Sequence, residues 1–227
     1  MCIRDSVGAS HVLIDIPTSK EAKVTSRQRA LHLKKDFESI GKKLGMKIKV
    51  IITDGKQPIG NGIGPALEAR DVLWVLQRDE RRPKDLEKKS VMMAGIMLEM
   101  AGIKKGRKKA KEILDKGIAY KKMQQIMDAQ GGDPCIDPDK IKIGRFTFTK
   151  KAGKTGIIRD VYNRNVSKIA RIAGAPADKG SGIYLNVHEG QRVKRGDTLF
   201  TIYAHTQQEL DYAVEMMKKF PLVRLFL

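Results

Sequence analysis

Apolar residues recur along this chain with two different periods, and the change between them divides it. His11 to Ile16 (HVLIDI) is a short apolar run closed by Pro17, Thr18 and Ser19, which predicts a buried strand. From Ser26 to Leu44 the apolar positions Ala30, Leu33, Phe37, Ile40 and Leu44 recur three and four residues apart. That is the period of a helix buried along one side, and Gly45 stands where a left-handed C-terminal cap belongs. Lys47 to Thr53 (KIKVIIT) alternates and then turns apolar, as a second strand does. Strand, helix and strand in this order predict a right-handed βαβ unit with parallel strands.

Asp54 to Pro65 (DGKQPIGNGIGP) reads as a glycine-rich loop opening a helix, because proline suits the first helical position. From Pro65 to Gln130 the period is helical with short breaks. Leu67, Val72, Leu73 and Leu76 form one apolar side, and Met92, Met93, Ile96, Met97 and Met100 a second. A methionine stripe of this kind reads as adaptable core before it reads as a ligand box. Gly131 to Pro134 and Asp137 to Asp139 end the helices. Short strand candidates follow at Phe146–Phe148, Gly156–Val161, Ile183–Val187 and Leu199–Ile202. Gly190 and Gly196 mark turns between the apolar positions Val187, Val193 and Leu199. The pattern therefore predicts an α/β fold: a partial parallel sheet with flanking helices over 6–145, then a small α+β, barrel-sandwich-like domain over 146–227, with a boundary near 135–152.

Composition narrows the class. Charged residues make up 31% and hydrophobic ones 41% of the 227, which is the balance of a globular chain. No apolar run approaches the ~18 residues that cross a bilayer, and Met1 to Ser6 lack the apolar stretch of a signal peptide. Two cysteines, Cys2 and Cys135, do not make a disulfide framework and point to a reducing cytoplasm. A net charge of +19 favours anionic partners. The cations are spread along the chain, however, and aromatics are only 5%, too few for a base-stacking platform. The dense run Lys104 to Lys111 (KKGRKKAK) reads as a solvated helix start.

Few residues advertise chemistry. The four histidines, His11, His32, His188 and His205, match no metal-ligand spacing, and His11 and His32 read as structural. Cys135 has no CxxC partner and no G-x-S-x-G elbow is present. The glycine-rich loop fails the G-x-G-x-x-G test, because Pro65 stands where the third glycine belongs, and no G-K-[ST] follows. It is either a phosphate cradle or a tight turn. Asp15, near the end of an apolar strand, is the acid whose placement is costly; it needs donors or a cation. It lies at the carboxyl edge of the sheet, where open α/β folds bind ligands.

Four blocks carry a resemblance to a known family. They are Ser6–Thr18 (SVGASHVLIDIPT) ending in Ala22, Lys23 and Val24; Gln57–Ala69 (QPIGNGIGPALEA); Ala129–Pro134 (AQGGDP); and Ala170–Ile183 (ARIAGAPADKGSGI) followed by Tyr184. In this order they closely resemble archaeal AMP phosphorylases, within the wider thymidine and pyrimidine-nucleoside phosphorylase family, and the chain is similar to their C-terminal part. Pyrimidine enzymes carry D-V-K-x-G where this chain has Asp15, Ile16, Pro17 and Thr18, so the nucleotide branch fits better. The chain departs from the family at Ser19, Lys20 and Glu21, where glycines are common.

The resemblance implies phosphorolysis of AMP to adenine and ribose 1,5-bisphosphate, in nucleotide catabolism, by a cytoplasmic and homo-oligomeric enzyme. No organic cofactor, no metal, no membrane and no specific nucleic acid is expected. The resemblance assigns nucleotide binding to Lys23, eight positions after Asp15, where pyrimidine enzymes place an apolar residue; an ammonium serves an anionic nucleotide as a point charge. It places the family's phosphate-binding motif and proton-donating aspartate upstream of the segment matching Ser6, so no catalytic residue is expected within these residues and the chain alone is expected to be inactive. Met1 to Asp5 match nothing in the family and read as a non-native leader. The alternatives are a pyrimidine-nucleoside phosphorylase, a basic RNA-binding module and, on Asp178-Lys179, a lipoyl- or biotin-type carrier, whose modification hairpin is absent.

Overall fold

The computed structural model describes residues 8–226. The expected leader at residues 1–5, and Ser6 and Val7 of the first block, lie outside the described residues. The chain forms two compact units: Met1–Gly55 with Lys88–Ile118, and Lys56–Glu87 with Ala119–Leu227.

In the first unit, β1 (His11–Thr18) and β2 (Lys47–Asp54) run parallel, paired in register from His11–Lys47 to Thr18–Asp54. The helix between them, α1 (Arg27–Lys43), is capped by the Ser26 hydroxyl, which accepts from the Arg29 N–H at 3.2 Å. Gly45, at φ +67°, turns the chain out of it as expected. Ile16, Ala30 and Val50 are buried between helix and strands, with Ile14, Leu33, Phe37, Ile48 and Ile52 packed around them. The stripe on α1 is buried only in its first half, since Ile40 and Leu44 are 50% and 60% exposed.

Helix α2 (Pro65–Gln77) belongs to the second unit and starts with proline at its first turn, as predicted. Its buried side is not the predicted one: Leu67 and Leu73 are covered, but Val72 is exposed, and Asp71, Trp74 and Val75 take the inner positions. Helix α3 (Lys84–Met100) carries the methionine stripe, in which Met92, Met93, Ile96 and Met100 are half-buried and Met97 is exposed. It crosses α4 (Gly106–Asp115) where two glycines meet. A methyl on Gly106 would stand 2.1 Å from the Gly95 carbonyl oxygen, and one on Gly95 2.6 Å from the Arg107 Cα. Only glycine permits that approach. Helix α5 (Ile118–Ala129) follows.

The second unit holds two antiparallel sheets. The larger has the order β3 (Gly62–Ile63), β6 (Gly182–Leu185), β8 (Thr198–Ala204), β4 (Phe146–Lys151). The smaller has the order β7 (Arg192–Val193), β5 (Gly156–Val161), β9 (Val223–Phe226). Ile158, Ile169, Ile183, Leu185, Ile202 and Leu222 are at most 1% exposed and form the centre of its core. All the strand candidates after residue 145 appear, and Gly190 and Gly196 take positive φ. Two helices were not foreseen there. They are α6 (Asn163–Ile172) and α7 (Gln207–Lys219), the latter begun by a capping box of Thr206 and Glu209. Mixed α/β architecture is thus as the sequence implies, while the change of period near 145 falls inside the second unit. β3 explains why: the glycine-rich segment adds a strand to the C-terminal sheet, drawing Lys56–Glu87 into its company.

Candidate functional site

In the first unit, Asp15 finds both the donor and the cation its position demands. The Thr53 hydroxyl donates to Oδ1 at 2.7 Å, and the Lys89 ammonium pairs with Oδ2. Lys89 also donates to the Thr53 oxygen at 3.3 Å. The Lys89 and Asp15 side chains are only 19% and 13% exposed, so the pair is largely out of water and each charge depends on the other. It sits near the carboxyl ends of β1 and β2, on the sheet edge from which the loop after β1 departs.

That loop, residues 19–25, is closed on itself. The Ser19 hydroxyl accepts the N–H groups of Glu21 and Ala22 at 3.1 and 3.0 Å and donates to the Gly55 carbonyl at 2.8 Å. The Ser19 N–H reaches the Val24 carbonyl at 3.3 Å, and Val24 bridges back to Thr18. Ala22 is thereby buried, at 9% exposure, and its neighbour Lys23 is turned out to solvent. Gly55 closes the floor in a tight fit: a methyl there would stand 3.0 Å from Pro17 Cβ and 3.2 Å from Ala22 Cβ.

The glycine-rich loop of the second unit resolves as a turn held by its own chain. Asn61 and Gly62 donate their N–H groups to one oxygen of Asp71, each at 2.7 Å. Gly60 donates to Asp85 and Gly64 to Glu68, both at 3.1 Å. The four N–H groups that a phosphate would need already serve carboxylates. Asp71 is 1% exposed, and burial raises its pKa, against the N–H bonds from Gly62 and Asn61 that lower it. The side chain of Asn61 donates to the Tyr184 hydroxyl at 3.2 Å and meets His188 Nε2 at 2.8 Å. The guanidinium of Arg70 lies between the rings of Trp74 and Tyr184, 4.8 and 4.9 Å from their centroids.

Glu87 anchors the turn before α3. Burial raises its carboxyl, but Arg82 and Arg78, at 2.6 and 2.8 Å, outweigh that and hold its pKa at about 2, below the ordinary 4.5. A lowered value in the folded state means stability that is present above 4.5 and is lost as pH falls toward 2. Glu87→Gln is expected to cost roughly 2–3 kcal/mol at neutral pH and to flatten the acid limb of the stability curve. Urea midpoints measured across that range check it; an acid decline equally steep in the variant would contradict it.

Of the residues singled out from sequence, Asp15 and Lys23 share one edge of the first unit. Cys135 is exposed, and His32 lies on the surface, 3.5 Å from Asp36. Among the described residues no cluster could hold a metal ion, and no helix is long and apolar enough to cross a membrane. Lys179 is exposed in a turn, 178–181, that Asp178 organises by accepting from the Ser181 hydroxyl and the Gly180 N–H.

Residues 157–220 match the family described as the pyrimidine nucleoside phosphorylase C-terminal domain. The chain is also 45% identical over 228 residues to the AMP phosphorylase of Pyrococcus furiosus, across 99% of its own length. It is 46% identical over 223 residues to that of Thermococcus kodakarensis, across 97%. The chain spans about half the length of these relatives, 45% and 44%. The residues that support this site are harder to read from the sequence than Asp15. Thr53, Lys89 and Asp71 carry no signal of their own in the sequence, and Ser19 stands out there only as part of the departure at Ser19, Lys20 and Glu21. A costly strand aspartate signals that a cation exists, but not which of 45 basic residues supplies it.

Proposed function

We propose that this chain is part of an enzyme that splits AMP with inorganic phosphate into adenine and ribose 1,5-bisphosphate. A phosphate oxygen forms the new bond to C1′ while the C1′–N9 bond breaks, and adenine leaves with a proton. Positive charge grows on the sugar as the base departs, so donors to the base and a held phosphate lower the barrier. The observation that carries the reading is identity of 45% along 99% of the chain to an enzyme named AMP phosphorylase. The exposed ammonium of Lys23, on a closed loop at the carboxyl edge of a parallel strand pair, supports it, because a nucleotide brings a phosphate that a nucleoside lacks. The groups that hold the attacking phosphate and protonate the base are assigned to the part of the relatives that these residues do not cover.

A pyrimidine-nucleoside reading is favoured by the family description that residues 157–220 match. An uncharged nucleoside gives Lys23 no anion to meet. The test is adenine release from AMP and phosphate, by the 227-residue chain alone and by a full-length phosphorylase in which it replaces the matching residues of the Pyrococcus furiosus relative. Release is expected from the second and none above a blank from the first. Release by the chain alone would show that it carries its own phosphate site and acid.

A further inference from the structure

The loop between β1 and α1 is short, exposed and built on a side chain. Ser19 makes three hydrogen bonds through one oxygen: it accepts from Glu21 and Ala22 and donates to Gly55 across the mouth of the loop. Its backbone makes two more, from its own N–H to Val24 and from Ala22 N–H to its carbonyl at 3.1 Å. These bonds span both sides of Lys23, so Ala22 is held in and Val24 is held to Thr18. The ammonium at 23 then projects from a base with little freedom. Without the Ser19 hydroxyl, the Glu21 and Ala22 N–H groups lose a partner and the loop loses its tie to Gly55. Lysine is rich in rotamer entropy by itself, so a loose backbone beneath it would weaken any contact it makes.

We infer that Ser19 is a positioning residue for Lys23, fixing the loop so that the ammonium meets the phosphate of the bound nucleotide. This rests on the AMP reading and deepens it. Ser19 touches no substrate; it acts by shaping residues 19–24.

The experiment is a double-mutant cycle in the full-length phosphorylase described above, with kcat/KM for AMP as the readout. Ser19→Ala is expected to lose roughly 5- to 30-fold, mostly in KM, and Ser19→Thr, which keeps the hydroxyl, to stay within about 3-fold of the parent. In a Lys23→Ala background, Ser19→Ala should cost less than about 2-fold, because the group it positions is gone. Losses that multiply would mean that Ser19 merely supports the fold, and would overturn the inference. So would a Ser19→Ala enzyme indistinguishable from the parent while Lys23→Ala is impaired. If Lys23→Ala has no effect, the assignment of Lys23 fails and the role of Ser19 fails with it. Failure of the parent to act on AMP, with turnover of a pyrimidine nucleoside, would instead remove the AMP reading itself.

Discussion

Asp71→Ala is expected to lower the stability of the second unit by about 2–5 kcal/mol. The substitution strands the N–H groups of Asn61 and Gly62, which both end on one carboxylate oxygen at 2.7 Å, and empties a site 1% exposed. Asp71→Asn retains an acceptor and the volume, so it is expected to cost less than half as much. The pH dependence separates the two causes. Burial raises the Asp71 pKa above 3.8, so the folded state keeps its proton longer than the unfolded chain does. The stability this group contributes is full below 3.8 and declines as pH rises through the folded value; the asparagine chain lacks that decline. Urea unfolding followed by the fluorescence of Trp74, the single tryptophan, reads both variants. Equal losses from Ala and Asn would show that the carboxylate's hydrogen bonds do not organise the loop.

Lys23→Ala is expected to remove a charge-assisted contact of about 1.5–3 kcal/mol from the full-length phosphorylase, a loss of about 10- to 150-fold in kcat/KM for AMP. The fold should be unaffected, since the side chain is exposed and the loop is held by Ser19 and not by the ammonium. Lys20→Ala, three residues away on the same loop, is the control for positive charge in general. Equal effects from the two would assign the loss to the overall +19 field. No effect from either would take Lys23 out of the site.

The parts of the fold governed by local rules were legible in the sequence. The helix beginning near Ser26, Gly45 ending it, Pro65 opening α2 and the strand pair around them follow from spacing and cap chemistry within a few residues. What stayed hidden depends on partners distant in sequence. Lys89 is a solvated helix lysine until Asp15, 74 positions earlier, is placed beside it. Asp71 looks like a polar residue on the outer face of α2, and only the folded glycine loop turns it inward. The same loop invited a phosphate because its glycines are those of a cradle; the acids that occupy its N–H groups, Asp71, Asp85 and Glu68, lie later in the chain. Lys23 itself is visible only through resemblance, because nothing in composition separates it from the other cations.

Product analysis tests the central claim most directly. A full-length phosphorylase carrying this chain, given AMP and thymidine together with inorganic phosphate, is followed by 31P NMR. The AMP reading expects AMP to disappear only when phosphate is added, with two phosphorus signals of equal area from ribose 1,5-bisphosphate. Loss of thymidine with formation of deoxyribose 1-phosphate, and AMP untouched, would contradict it.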